Sequence, residues 1–143
     1  MFLLDTNVIS ELRRPERANK NVVAWASTIP AGSFFLSVIS IFEIELGTLK
    51  IARRDAAQGA ILRAWIDEQL LPRFEGRVLA VDTAVAQHCA RLHVPDPHAE
   101  RDAMIAATAI VHSLTVVTRN VAHFKTVGVM LLNPWMVQQN GEG

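Results

Sequence analysis

Three acidic residues of this sequence stand among apolar residues, where an exposed carboxylate is not expected. Asp5 follows the apolar residues 1–4, Glu43 lies within an apolar helical pattern, and Asp102 opens a run of small apolar residues. Two carboxylates about 4 Å apart repel each other by roughly 4 kcal/mol at an effective dielectric constant of about 20. If the three acids converge, either their pKa values rise or a cation neutralises them. An all-oxygen set of ligands favours Mg²⁺ or Mn²⁺.

Asp5 also has a simpler interpretation as a helix cap. Asp, Thr and Asn are typical of helix N-termini, where their side chains accept hydrogen bonds from backbone N–H groups. Asp82-Thr83 repeats the local pattern, but only apolar residues follow it directly, whereas Asp5 is followed by Thr6 and Asn7. The local pattern alone does not distinguish a capping aspartate from a metal ligand.

Glu43 shares a helical face with Ile39 and Leu46, which lie four residues before it and three residues after it. A carboxylate on an apolar face must be neutralised, and the alternative to a metal is a buried ion pair with an arginine. Glu45 points to a different face and is expected to be a solvated surface acid.

Asp102 is followed by apolar residues at the third, fourth and seventh positions, so its side chain is expected to face the core. The alternative is that this acid simply complements the dipole at the start of a helix. That role needs only an exposed acid, however, whereas Asp102 is predicted to point inward.

Other site chemistries fit the composition poorly. Cys89 is the only cysteine, which excludes an intramolecular disulfide bond and a multi-cysteine zinc site. The five histidines lack a zinc-ligand spacing such as H-E-x-x-H and are expected to be surface or partly packed residues. The formal net charge is zero, so the overall charge does not indicate a nucleic-acid partner.

The elements that must position the acids alternate along the chain. Short apolar runs predict five strands, at residues 2–4, 34–38, 78–81, 115–118 and 129–131. Amphipathic runs predict six helices, at residues 8–13, 22–27, 39–50, 56–70, 83–92 and 100–112. This alternation indicates an α/β fold, with a short five-stranded parallel sheet flanked by helices on both faces.

The predicted topology brings several polar residues to one edge of the sheet. Ligands of open α/β sheets bind at the carboxyl ends of the strands. Asp5 ends the first predicted strand, Glu43 lies one turn into the helix after the second, and Asn120 lies just past the fourth. We therefore expect these residues to converge.

The length of 143 residues is typical of one domain, which we expect to span residues 1–135. Residues 136–143 form a polar tail that is expected to be flexible. No apolar run reaches the roughly 20 residues that cross a membrane, and the first residues do not resemble a secretory signal. A single cysteine fits the reducing cytoplasm, which is the predicted location.

Four motifs, in this order and at this spacing, resemble those of the PIN-domain nucleases. They are Leu4-Asp5-Thr6-Asn7 and the segments 37–47, 101–109 and 115–120. The similarity is greatest to the VapC-type toxins, including the FitB-like branch, whose ending the segment 133–135 also resembles. Each motif alone is weak, whereas four in order over nearly the whole chain are specific.

The resemblance implies a metal-dependent endoribonuclease. Acids at the positions of Asp5, Glu43 and Asp102 hold Mg²⁺ or Mn²⁺ in that family. The position of Asn120 is often a fourth acid, and an uncharged amide there puts a second tightly bound metal in doubt. Water activated by the metal would hydrolyse the phosphodiester bond and leave a 5′-phosphate and a 3′-hydroxyl.

Further residues are assigned roles around these four. By resemblance, Thr6 and Thr118 supply supporting hydroxyl groups and Asn7 is a polar partner of the site. Three arginines are candidates for contacts with RNA phosphates, the alternative for each being ordinary surface charge: Arg119, Arg13 and Arg14.

The resemblance also implies a biological role as the toxin of a type II toxin–antitoxin pair. Such a toxin binds a VapB-like antitoxin whose C-terminal segment covers it, and it commonly forms a homodimer. Promoter DNA would be bound only through the antitoxin, because this sequence contains no DNA-reading helix of its own. The sequence does not say whether transfer, ribosomal or messenger RNA is the substrate.

Four other classes of protein share some of these features. A haloacid-dehalogenase-like phosphatase needs a second aspartate where Asn7 stands, and a receiver domain needs an acid pair after the first strand. A dinucleotide-binding module needs a G-x-G-x-x-G motif, which is absent. The fourth is an inactive PIN domain that serves as a binding module. The three acids argue against it, but Asn120 leaves it open.

Overall fold

A computed structural model describes residues 1–136 of the chain. The predicted polar tail lies outside the described residues apart from Met136. The strands are β1 (Phe2–Leu4), β2 (Phe34–Ser37), β3 (Val78–Leu79), β4 (Thr115–Val117) and β5 (Leu131–Leu132). The helices are α1 (Thr6–Leu12), α2 (Lys20–Ser27), α3 (Val38–Arg54), α4 (Ala56–Trp65), α5 (Leu71–Arg73), α6 (Thr83–Leu92) and α7 (Glu100–Val111).

The five strands form one parallel sheet in the order β3-β2-β1-β4-β5. Strand β1 is central, and its Phe2 is in register with Phe34 on one side and Thr115 on the other. The predicted five-stranded parallel sheet is confirmed. The residue after β1 therefore lies at the middle of the carboxyl edge of the sheet.

Helices cover both faces of the sheet, as predicted. Alternate residues of a strand point to opposite faces, and here neighbouring residues belong to different hydrophobic clusters. Leu3 and Val116 pack with residues of α7, whereas Leu4 and Val117 pack with residues of α1 and α2. The sheet is thus buried on both sides, which explains why its strands read as uninterrupted apolar runs.

Strand β1 has its predicted length, whereas the other four strands are shorter than the sequence predicted. Strand β3 ends at Leu79. Strand β5 begins only at Leu131, three residues after Gly128, which has a positive φ of +74° and lies in a turn. Strand β3 pairs only with the last two residues of β2, and β5 only with the last two residues of β4, so each outer strand ends where its neighbour ends.

The predicted helix at 56–70 is divided. Helix α4 ends at Trp65 and is followed by a π-helical turn, Ile66–Leu70, and then by α5. Ile66 and Leu70, at the two ends of this turn, are both buried. Within residues 1–136, no helix is both long and apolar enough to cross a bilayer.

Helices α3 and α4 pack closely at Gly59, where an added Cβ would lie 2.5 Å from Cβ of Ala52. The same helices are joined by Arg63, which donates to both oxygens of Glu45 at 2.7 and 2.8 Å. Arg63 also pairs with Asp67. Glu45 was expected to be a solvated surface acid. Its side chain is one third exposed, and its carboxylate in addition holds α3 against α4.

Candidate active site

Asp5 is a buried carboxylate at the middle of the carboxyl edge of the sheet. Its backbone N–H continues the ladder to the carbonyl of Val117, and its side chain is only 6% exposed. Oδ1 accepts a hydrogen bond from the backbone N–H of Thr6 at 2.8 Å, so Asp5 caps α1. Oδ2 accepts from Oγ1 of Thr118 at 2.8 Å and from Nδ2 of Asn7 at 3.3 Å.

Asp82 shows what the same local pattern does elsewhere. Its side chain caps α6 through the backbone N–H of Val85 at 3.0 Å, and the residue is exposed. Capping is thus common to Asp5 and Asp82, whereas burial among other polar groups distinguishes Asp5.

Glu43 lies on α3 and turns its partly buried carboxylate toward the start of α1. Oγ1 of Thr6 donates to Oε1 of Glu43 at 2.6 Å. Nη1 of Arg101 lies 3.6 Å from Oε2. The alternative of an ion pair with an arginine is therefore realised on one oxygen, while the other is linked to the residue next to Asp5.

Asp102 lies in the first turn of α7, a helix whose N-cap residue, Ala99, makes no side-chain capping bond. Its carboxylate is about one quarter exposed, and its Oδ2 lies 3.4 Å from Nδ1 of His123. His123 belongs to the short 3₁₀ turn Val121–His123 that follows β4. The side chain of Asp102 therefore points from α7 toward the loop after β4, which agrees with the prediction that it faces inward.

Burial and neighbouring acids raise the pKa values of two of the three carboxylates. Burial raises the pKa of Asp5 above its usual value, and the charges of Asp102 and Glu43 raise it further, against the lowering effect of the hydrogen bonds from Thr118 and Thr6. Burial also raises the pKa of Asp102, an effect opposed by His123 and reinforced by Glu43. Both carboxylates therefore lie in a site that disfavours their negative charge and would favour a cation.

The donor set fits a hard divalent cation in its chemistry but is open in its arrangement. Within residues 1–136, no three His, Cys, Asp or Glu side chains lie close enough together to form a ready-made metal site. Mg²⁺ commonly keeps several waters and binds proteins through only one or two carboxylates. The open arrangement of Asp5, Glu43 and Asp102 is compatible with that mode of binding and does not resemble a closed structural site.

A hydrogen-bond network supports the cluster from the β4 side. Thr118 is fully buried, and its hydroxyl group accepts from Nδ2 of Asn7 and from the backbone N–H of Asn120 while it donates to Asp5. The backbone N–H of Arg119 donates to Oδ1 of Asn7 at 3.2 Å. Asn120 is exposed and joins this network through its backbone.

The three candidate phosphate contacts are not together. Arg119 lies beside the network, with its guanidinium 5.3 Å from the centre of the Trp135 ring. Arg13 follows the other end of α1 from Asp5, about 12 Å along the helix. Its guanidinium is 6.0 Å from the centre of the Trp65 ring. Arg13 and Arg14 line a separate cavity with residues of α4 and the π-helical turn. Any phosphate contact they make would therefore be remote from the carboxylates.

Two nitrogen-bearing side chains beside the acids were missed by sequence reasoning. Arg101 contacts Glu43, and His123 contacts Asp102, although the histidines were expected to be surface or partly packed residues. His123 follows Asn120 by three residues, so its place in the loop after β4 was a signal that pointed to this edge. Arg101 precedes Asp102 directly, but neither charge nor spacing indicated its direction.

Comparison with known proteins identifies one family. The PIN domain matches residues 2–129. The chain is 39% identical over 140 residues to Toxin FitB of Neisseria gonorrhoeae, an alignment that covers 94% of this chain and 99% of that protein. It is 32% identical over 140 residues to VapC ribonuclease Y4jK of Sinorhizobium fredii, which covers 94% and 98%.

The fold is shared with toxin–antitoxin complexes. The solved structure of FitAB bound to an IR36 DNA fragment matches with a TM-score of 0.87 and 36% identity, over 97% of this chain and 99% of that one. The similarity thus extends over the sheet, its flanking helices and the edge on which the three carboxylates lie.

Proposed function

This chain belongs to the PIN-domain family, and on that premise we propose that it is a Mg²⁺- or Mn²⁺-dependent endoribonuclease and the toxin of a toxin–antitoxin pair. The observation that supports the proposal is the meeting of Asp5, Glu43 and Asp102 at the carboxyl edge of the sheet. They come from three different elements. Burial raises the pKa values of Asp5 and Asp102, and the charge of Glu43 raises both further.

Asp5, Glu43 and Asp102 would hold the metal. When bound, the ion would lower the pKa of water and offset negative charge on the scissile phosphate. Thr118 and Asn7 keep Oδ2 of Asp5 in place, and Thr6 keeps Oε1 of Glu43 in place. These hydrogen bonds position the carboxylates before substrate arrives, which lowers the reorganisation needed during the reaction.

Asn120 and Arg119 complete the proposed site at its β4 side. The amide oxygen of Asn120 would contribute a neutral ligand or a hydrogen bond to water, and Arg119 would contact a phosphate of the RNA. Hydrolysis would leave a 5′-phosphate and a 3′-hydroxyl. The nature of the RNA is to be found by sequencing the 5′ ends of the fragments that accumulate after induction.

The proposed partners follow from the relatives. A VapB-like antitoxin would cover the acidic pocket and bind promoter DNA, since the related FitAB complex was solved with a DNA fragment. We expect the toxin to form a homodimer and to act in the cytoplasm.

The test is cleavage of RNA by the full-length protein in Mg²⁺ or Mn²⁺. We expect activity to be lost on chelation with EDTA, and to fall by at least about a hundredfold in Asp5→Asn and in Asp102→Asn, because the metal loses a charged ligand. Asp82→Asn is the matched control, since Asp82 has the same local sequence as Asp5 but only caps a helix; it should keep full activity.

A growth assay can contradict the metal-site proposal. If Asp5→Asn, expressed without antitoxin at the level of the wild-type protein, still arrests growth, the metal-site proposal is wrong. Binding of RNA without any cleavage in either metal would instead support the alternative of an inactive PIN domain that serves as a binding module.

A further inference from the structure

Phe42 is an exposed aromatic residue directly beside the carboxylate cluster. It precedes Glu43 on α3 and is 49% exposed, although burial of a phenylalanine side chain normally stabilises a protein. An exposed aromatic ring next to a candidate nuclease site indicates a binding surface for a ligand with a flat apolar face.

Arg101 pairs with this ring. Its guanidinium lies 4.9 Å from the centre of the Phe42 ring, and its Nη1 lies 3.6 Å from Oε2 of Glu43. The side chain is 48% exposed. Arg101 is therefore held between an aromatic ring and a carboxylate while its remaining N–H groups are accessible to an anion from solvent.

A second arginine–aromatic pair lies on the opposite side of the cluster. Phe42 and Glu43 belong to the helix that follows β2, whereas Arg119 follows β4 and Trp135 follows β5. Arg119 lies against the Trp135 ring, and Asn21 holds the backbone carbonyl of Trp135 at 2.9 Å. Asp5, after the central strand β1, lies between the two pairs.

We propose that Phe42 and Arg101 form a nucleotide-binding subsite for single-stranded RNA. An unpaired base stacks on the exposed part of the Phe42 ring, and Arg101 binds the phosphate next to the one that lies over the carboxylates. The strand runs across the carboxyl edge of the sheet, from the β2 side to the β5 side, where Arg119 binds a further phosphate. This inference rests on the proposed ribonuclease function.

Charge and position favour RNA over a second copy of the chain as the occupant. Phe42 shares a helical face with exposed Val38 and Leu49, so an apolar contact between proteins is conceivable there. Of the residues on this face, Phe42 is the one that precedes Glu43 and contacts the guanidinium of Arg101. A polyanion with flat bases complements both features, whereas a purely apolar partner would leave Arg101 without an anion other than Glu43.

The test measures binding and base stacking apart from catalysis. The full-length Asp102→Asn protein, which is expected not to cleave, is titrated in Mg²⁺ with short single-stranded RNAs that carry 2-aminopurine at successive positions. We expect the fluorescence of one position to be quenched on binding. Phe42→Leu should abolish this quenching and raise Kd roughly tenfold, as stacking on an aromatic ring predicts.

Three comparisons make the test specific. Phe42→Trp should restore both the quenching and the affinity, because it restores an aromatic surface. A duplex of the same sequence should show no further quenching when the protein is added, because its bases are already stacked on one another. Leu49→Ala is the matched control on the same face of α3, at 60% exposure, and should bind RNA as the parent protein does.

Each result decides the question. Equal Kd and equal quenching for Phe42→Leu and its parent protein overturn the subsite. The subsite is also overturned if Phe42→Leu and Leu49→Ala both weaken self-association in sedimentation experiments but leave RNA binding unchanged. If the Asp102→Asn protein binds RNA through Phe42 but the wild-type protein cleaves no RNA, the subsite stands and the proposed function fails. If no RNA binds, both fail.

Discussion

At the scale of single residues, Asp5 combines two roles that its sequence does not separate. Its Oδ1 caps α1, and its Oδ2 is held by Thr118 and Asn7 inside a cluster of acids. Asp82 performs the capping role alone. The difference lies in burial, because a buried carboxylate with acidic neighbours is destabilised in its charged form.

Asp102 offers a prediction about stability and pH. Its pKa is raised above the usual value of 3.8 in the folded protein, chiefly by burial. The folded state therefore binds more protons than the unfolded state just above that value, and the free energy of unfolding falls as pH rises through this interval. Without metal, Asp102→Asn should thus be more stable than the wild-type protein at pH 7.

Thermal unfolding in EDTA at a series of pH values measures this effect. Each kcal/mol by which Asp102→Asn raises the free energy of unfolding should raise Tm by about 2–4 °C in a domain of this size. This difference in Tm should vanish near pH 3, where Asp102 is protonated in both the folded and the unfolded protein. Added Mg²⁺ should stabilise the wild-type protein but not the variant. Asp82→Asn should leave Tm nearly unchanged, because asparagine caps a helix as well as aspartate does. A lower Tm for Asp102→Asn at pH 7 would contradict the prediction.

At the scale of elements, the close packing of α3 on α4 sets the position of Glu43. Arg63 binds Glu45 two residues beyond Glu43, and Gly59 allows α4 to approach Ala52 near the other end of α3. A shift of α3 would move Glu43 relative to Thr6, its partner at the start of α1.

Two glycines of these helices therefore respond oppositely to the same substitution. Gly59→Ala should lower the free energy of unfolding by about 1–3 kcal/mol, because the new methyl group overlaps Ala52. Gly47→Ala, at a helical position with nothing within 4 Å of the new group, should raise it by about 0.5–1 kcal/mol through helix propensity. Urea unfolding of both variants measures the pair, and stabilisation by Gly59→Ala would show that the helices separate without cost.

At the scale of the whole molecule, affinity for RNA must come from local charge. The chain has 14 basic and 14 acidic side chains, so the overall field attracts no polyanion. The arginines beside the site are Arg101 and Arg119. Few phosphates of the RNA can therefore be neutralised.

This arrangement predicts a weak dependence of RNA binding on salt. Two phosphate contacts, by Arg101 and Arg119, should produce a slope of log Kobs against log salt concentration of about −1.4 for single-stranded RNA. Arg101→Gln should reduce the slope to about −0.7, and Arg14→Gln, remote from the carboxylates, should leave it unchanged. Titrations at several salt concentrations measure these slopes. A slope steeper than about −4 would indicate a much larger basic surface.

The sequence by itself determined the order of the elements, the parallel sheet with helices on both faces, and which acids are proposed for the site. Apolar runs and helical periodicity report which side chains must be buried, and they placed Asp5, Glu43 and Asp102 on inward faces. Strand ends were predicted less well, since pairing depends on the length of the neighbouring strand.

Only the tertiary structure decided what surrounds each acid. Arg101 contacts Glu43 and His123 contacts Asp102, because helices and loops distant in sequence meet at one edge. Glu45 pairs with Arg63 because α3 and α4 pack against each other. Periodicity reports the direction of a side chain relative to its own element, whereas an ion pair depends on how two elements pack. For the same reason, only the folded chain separates the buried carboxylate of Asp5 from the exposed cap of Asp82.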